Sequence, residues 1–232
     1  MRGLYAIVDT RALRARGLHP IAFATAVLVA RPAALQLRAK DSSPREFLAL
    51  LRAISPLCRE AGVPFVANDR VDLAALAACN IVHVGQDDLA IERVRGIAPG
   101  MRVGLSTHTP EQLARALDAA PAYVAYGPVF PTASKENPDP VVGLAGLREA
   151  AIVAERAHVP LVAIGGITLE RAPEVAQIAD AAAVIADLLP AREGDASIES
   201  ILEGVSIRAR ELHAALSSVR AEAEWMAARA LA

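Results

Sequence analysis

ALQLRAKDSSPREFLALLRAISPLCREAGVPFVANDR, residues 34–70, contains one complete repeat of the pattern that organises this chain. Its opening residues, Ala34–Arg38, read as a strand. Ser43-Pro44-Arg45-Glu46 then starts a helix with a capping serine, a proline at the first helical position and a glutamate that reaches back to the cap. Leu50, Leu51, Ile54 and Leu57 carry the helical apolar spacing, Gly62 ends it, and Val63-Pro64 opens a second strand, Pro64–Ala67. Strand, helix and strand in this order predict a parallel sheet.

The alternation runs through the chain. Strands are predicted at Leu4–Val8, Ala34–Arg38, Pro64–Ala67, Ile81–Val84, Arg102–Leu105, Tyr123–Tyr126, Leu161–Ile164 and Ala182–Ile185, each followed by a helical stretch. Their hydrophobicity is continuous rather than alternating, as expected of strands covered on both faces. Thr109-Pro110-Glu111-Gln112 repeats the capping device of residues 43–46. Eight such units in 232 residues favour a closed α/β barrel, the (β/α)8 TIM barrel, over a doubly wound open sheet. The glycine fingerprint an open sheet carries after its first strand is missing. Ile198, Ile201, Leu202 and Val205 continue with helical spacing, which adds a C-terminal helical extension. We read residues 1–216 as one barrel domain and 217–232 as a helical tail.

Composition narrows the function. A formal net charge of -2, with 22% charged and 54% hydrophobic residues, gives no support for a nucleic-acid partner or a polybasic membrane contact. An anion site must therefore be local. The apolar run at the N-terminus is too short for a signal-peptide core, and Ile21–Ala30 is too short to cross a bilayer, so a cytoplasmic protein is expected. Cys58 and Cys79 read as reduced packing residues within helical stretches, without metal-ligand spacing.

In a barrel the chemistry lies on the loops that follow the strands, and polar residues fall there at seven of the eight predicted strands. Gln36, Arg38 and Lys40 are spaced by two and share one side of an extended segment, either the interior or the helix-facing layer. Two cations and an amide suit an oligophosphate. Asp69 and Asp88 each read either as a helix cap or, paired across neighbouring strands beside Lys40, as hard-oxygen ligands for Mg2+. Ser106 ends the fifth strand, where a hydroxyl either orients a substrate or satisfies backbone groups. His108 is a candidate base or a solvent-facing loop residue, and His83 reads as a satisfied core histidine; His19, His158 and His213 look incidental. The long segment from Gly127 to Gly143 carries Thr132, Ser134 and Lys135 behind stiffening prolines and reads either as a lid that donates to an anion or as a solvated loop. Gly165-Gly166 lets backbone N–H groups approach a phosphate, with Thr168 as an N-cap behind it.

The motifs QLRAK (36–40), NDR (68–70), HVGQDDL (83–89), GLSTH (104–108), GPVFPTASK (127–135) and AIGGIT (163–168), in this order, resemble the thiamine-phosphate synthase family from Leu4 to about Leu189. The resemblance implies a Mg2+-dependent alkyl transfer between two small-molecule substrates. A pyrimidine diphosphate would condense with a thiazole phosphate, giving thiamine monophosphate and pyrophosphate. It further implies that Gln36, Leu37, Arg38, Ala39, Lys40, Asn68, Ser106 and Lys135 hold the pyrimidine diphosphate. Asp69 and Asp88 would bind the metal, and Thr132, Ala133, Ser134, Gly166, Ile185 and Ala186 would hold the thiazole phosphate. Arg38, Lys40, Ser106 and Lys135 would be the catalytic groups. The chain departs from the family at Ala186, usually serine, and at Asp187, which brings a carboxylate near a proposed anion site; Ser134 stands where threonine is commoner. Two other readings differ in their needs. A thiazole tautomerase of the same family would use His108 for proton transfer and needs no diphosphate or metal site. A catalytically silent barrel that binds metabolites or a partner would draw support from Ala186, Asp187 and the tail.

Overall fold

A computed structural model describes residues 1–132, 139–189 and 197–230, with side chains through Ser217. The strands are β1 (Gly3–Asp9), β2 (Ala34–Arg38), β3 (Phe65–Asn68), β4 (Ile81–Val84), β5 (Arg102–Thr107), β6 (Tyr123–Tyr126), β7 (Leu161–Ile164) and β8 (Ala181–Val184). All pair in parallel with their sequence neighbours, and β8 returns to β1, closing the barrel. The helices among the described residues are α1 (Thr10–Arg14), α2 (Pro20–Leu28), α3 (Pro44–Ala61), α4 (Val71–Leu76), α5 (Ile91–Ile97), α6 (Pro110–Asp118), α7 (Gly143–Arg156), α8 (Ala172–Ala176) and α9 (Ile198–Ala230). None of the described helices is long and apolar enough to cross a membrane.

Local chemistry explains the elements. Ser43 and Glu46 form the reciprocal capping box, and Gly62 ends α3 in the left-handed region at φ 69°. At α6 the device differs from the expectation. Thr109 caps the Gln112 N–H, but the Gln112 amide reaches one residue further back, to the His108 N–H. Cys79 lies just beyond α4 rather than inside it, because the helix ends at Leu76. Both cysteines are buried and unpaired with each other, and burial pushes their thiols up to about 12 at Cys58 and about 11 at Cys79.

Two apolar layers form. One lies between sheet and helices and includes Leu4, Val8, Leu35, Leu37, Val82 and Val124. The other fills the barrel and includes Tyr5, Ile7, Val66, Ile81, Tyr123, Ala125, Val162 and Ala183. The two sets alternate along each strand, so every second residue points inward. The first turns of α9 serve as the barrel's eighth helix: Val205, Ala209, Leu212 and Leu216 are buried on one face, and the helix continues unbroken past residue 216. His213 sits on this face with its ring over Gly3, where a Cβ would come within 2.9 Å of it, and its Nδ1 accepts from the Leu4 N–H at 3.4 Å. His19 caps α2 by accepting from the Ile21 N–H. Both histidines thus have structural roles away from the cavity.

Candidate active site

Inward parity at β2 is decided by Leu35 and Leu37, which bury against the helices and leave Gln36 and Arg38 facing the barrel interior. These residues line a cavity of about 430 Å³ over the carboxyl ends of the strands. Lys40, Asn68, Asp69, Asp88, Ser106, Thr132, Gly166, Ile185 and Ala186 open onto the same cavity. Leu37 and Ala39 turn their side chains into the helix-facing core instead, one residue out of phase. Ala133, Ser134 and Lys135 lie outside the described residues.

The strand without a predicted polar contribution, β1, supplies two. Asp9, almost wholly buried, pairs with the Arg38 guanidinium through Oδ2, while Oδ1 caps α1 by accepting from the Ala12 N–H at 2.9 Å. Tyr5 enters the cavity floor. From there a continuous chain of hydrogen bonds crosses the interior. The Tyr5 hydroxyl donates to Gln36 Oε1 (2.6 Å), and Gln36 Nε2 donates to Asn68 Oδ1 (2.8 Å). In the other direction Tyr5 meets the Tyr123 hydroxyl (2.7 Å), Tyr123 meets His83 Nδ1 (3.0 Å), and His83 Nε2 meets Ser106 Oγ (2.8 Å). Burial raises both tyrosine hydroxyls above their usual range and pushes His83 down to about 4. His83 is thus a satisfied buried histidine, as its strand position suggests, and also part of the cavity wall. Gly104 makes room for this floor: a Cβ there would lie 2.0 Å from the Tyr123 ring, its partner across the β5–β6 register.

Neither Asp69 nor Asp88 caps a helix. The caps of α4 and α5 fall on Arg70 and Ala90, with no side-chain hydrogen bond. Asp88 instead accepts from the Gly85 N–H at 2.7 Å, which turns the β4 loop back toward Asp69. Asp69 stands in the left-handed region at φ 61°, 3.1 Å from Lys40 Nζ. Burial holds its carboxyl above the usual carboxylate range; Lys40 opposes this and the neighbouring Asp88 carboxylate adds to it. Two adjoining carboxylates are a donor set suited to a hard divalent cation. Among the described lining residues Arg38 and Lys40 face four carboxylates, Asp69, Asp87, Asp88 and Asp139.

His108 lines the cavity rather than facing solvent. Its Nδ1 donates to the Gly127 carbonyl at 2.6 Å and its Nε2 lies 3.5 Å from Asp139, tying the β5 and β6 loops together. Opposite, Gly165 and Gly166 turn at φ 102° and 62°, and a Cβ on Gly166 would meet the Pro131 carbonyl oxygen at 2.4 Å. Arg171 holds this turn by donating to the Gly166 carbonyl and lying over the Phe130 ring. Thr168 is not an N-cap: α8 begins later, behind Arg171, and the Thr168 carbonyl accepts from Arg171 and Ala172 instead. Asp187 points away from the cavity, accepting from the Leu169 N–H (3.0 Å) and pairing with Arg208 of α9 (3.1 Å).

A family model described as thiamine monophosphate synthase matches residues 4–188. The chain belongs to the thiamine monophosphate synthase family. It is 46% identical over 197 residues to the thiamine-phosphate synthase of Koribacter versatilis, covering 80% of this chain and 88% of that protein. It is 40% identical over 200 residues to that of Roseiflexus sp. (strain RS-1), covering 85% and 83%. Among solved structures it is similar to the thiamine phosphate pyrophosphorylase of Pyrococcus furiosus, with a TM-score of 0.74, 30% identity and coverage of 90% and 96%. The family assignment accounts for the order of motifs around the barrel mouth. Tyr5, Asp9 and Tyr123 are placed at the site by geometry; their signal in the sequence is faint, a hydroxyl or carboxylate at inward positions of otherwise apolar strands.

Proposed function

We propose that this chain is a thiamine-phosphate synthase, joining 4-amino-5-hydroxymethyl-2-methylpyrimidine diphosphate to a thiazole phosphate. The bond from the pyrimidine CH2 to the diphosphate oxygen breaks, a bond from that carbon to the thiazole nitrogen forms, and pyrophosphate leaves. The electron-rich aminopyrimidine stabilises the developing cation, so the protein needs no nucleophile. Its task is to neutralise charge on the leaving group. Arg38, oriented by buried Asp9, and Lys40 would hold the diphosphate together with Asn68 and Gln36. Ser106 would contact the pyrimidine ring, with Lys135 reaching the same substrate from the β6 loop. Thr132, Ser134 and the backbone at Gly166, Ile185 and Ala186 would receive the thiazole phosphate. The walls formed by Ile7, Ala125, Val162 and Ile164 offer apolar surface to a ring.

The observation that carries this reading is the charge balance of the mouth. Among the described residues two cations face four carboxylates, a balance that disfavours an oligophosphate arriving without a counter-cation. Asp69 and Asp88 would hold Mg2+, which supplies the missing positive charge to the diphosphate oxygens. The test mixes purified protein with both substrates and Mg2+ and follows thiamine phosphate and pyrophosphate with and without EDTA. Absence of metal-dependent product would refute the assignment. Asp88→Asn, which keeps an acceptor for the Gly85 N–H but removes the charge, should cost at least about 10²-fold in turnover while the melting temperature holds. His108→Ala should cost less than about tenfold, because both ring nitrogens are committed to loop contacts. A collapse of activity there would favour proton-transfer chemistry instead.

A further inference from the structure

The cavity floor is a single file of hydrogen bonds, and its protons have a direction. Tyr5 has one hydroxyl proton, given to Gln36 Oε1, so in the 2.7 Å contact with Tyr123 its oxygen must accept. Tyr123 therefore spends its own proton on Tyr5 and must accept from His83 Nδ1. A neutral imidazole that donates from Nδ1 has a bare Nε2, so across the 2.8 Å contact Ser106 is the donor. His83 is buried with a hydroxyl and no carboxylate at each ring nitrogen, a setting for a neutral ring. At the opposite end Gln36 Nε2 donates to Asn68 Oδ1, which leaves the Asn68 amide nitrogen as a donor toward the cavity.

We infer that Tyr5, Tyr123 and His83 are positioning residues that lock the proton of Ser106 away from the cavity, so that Ser106 presents lone pairs and selects a substrate ring bearing an N–H donor. This rests on the proposed function for the identity of the ring, whose amino group is its N–H donor. A 4-oxo analogue carries a carbonyl oxygen where the amino group stood, so at that position two acceptors would face each other. Discrimination of this kind is strong because the mismatched buried group stays unpaired. The control is remote: the hydroxyl of Tyr5, two hydrogen bonds from His83, decides which nitrogen of that ring carries the proton. In Tyr5→Phe the Tyr123 hydroxyl loses its acceptor and turns to His83 Nδ1. The ring then protonates at Nε2 and donates to Ser106, whose proton is released toward the ligand.

The test begins without substrate. Long-range ¹⁵N–¹H spectra of the whole protein at neutral pH, with His83 assigned by its loss in His83→Gln, should show a neutral ring protonated at Nδ1. Tyr5→Phe should show the Nε2-protonated tautomer. An Nε2–H or doubly protonated ring in the unaltered protein, or no change in Tyr5→Phe, overturns the proton order. Calorimetric binding of the amino- and oxo-pyrimidine diphosphates with Mg2+ then tests the selection. Tyr5→Phe should weaken the amino compound about tenfold and leave the oxo compound equal or tighter. Equal weakening of both overturns the selection while leaving the tautomer result intact. Both tautomers as expected in a protein that makes no thiamine phosphate would refute the synthase reading and not the proton order.

Discussion

At the scale of single residues, Asp9 has two jobs held by two oxygens. One oxygen pairs with Arg38 and the other caps α1. Asp9→Asn keeps an acceptor for the Ala12 N–H and loses the charge, whereas Asp9→Ala loses both. Both changes should raise KM for the pyrimidine diphosphate about tenfold, since an Arg38 without its partner is free to leave the substrate-facing orientation. Only Asp9→Ala should add the loss of the cap, about 1 kcal/mol of further destabilisation in a denaturant melt. Gly104 has a comparably specific reason: its missing side chain is the space occupied by the Tyr123 ring.

At the scale of elements, the loop after β8 carries Ala186, where the resemblance implies a serine, and Asp187, and the geometry gives the two different surroundings. Ala186 opens onto the cavity, but Asp187 is turned outward between the Leu169 N–H and Arg208. The carboxylate that seemed to threaten an anion site instead fastens the β7 and β8 loops to α9. Only the missing hydroxyl at position 186 should then be felt by a phosphate. Ala186→Ser should lower KM for the thiazole phosphate by roughly five- to tenfold, the value of about one hydrogen bond, with KM for the diphosphate unchanged. Steady-state kinetics with each substrate varied in turn checks this, and an increase in KM would move the phosphate away from this loop.

For the molecule as a whole, the cavity floor imposes a pH dependence on stability. His83 is pushed down to about 4 by burial, against about 6.5 in an unfolded chain. The folded state therefore resists the proton that the unfolded state accepts. The contribution to stability is complete above pH 6.5, falls as pH drops from about 6.5 to about 4, and is level below that. Its full size is about 3 kcal/mol as an upper bound. His213 acts in the same direction, and Asp69, whose carboxyl is held above its usual range, in the opposite one. Urea melts at pH 7.5, 5.5 and 4.5 should show the loss, and His83→Gln should flatten its slope.

Short-range physics made the barrel legible. Capping at Ser43, the αL glycine at 62 and the unbroken apolar runs depend on neighbours within a few residues, so strand positions, the helix starts at Ser43 and Thr109 and the eightfold alternation were readable from the sequence alone. The motif order likewise exposed the Gln36–Lys40, Asp69 and Asp88 cluster, because these polar groups interrupt apolar strand ends. What only the closed barrel decided involves groups far apart in the chain. Tyr5 and Tyr123 are 118 residues apart, yet their hydroxyls are 2.7 Å apart. No local pattern distinguishes a tyrosine that fills an interior from one that relays a proton order. The same holds for the direction of Asp187, set by Arg208 on a later helix, and for the partnership of Asp9 with Arg38. Propensity and capping act along the chain, but the orientation of a buried polar group is set by whichever donors and acceptors the fold brings beside it.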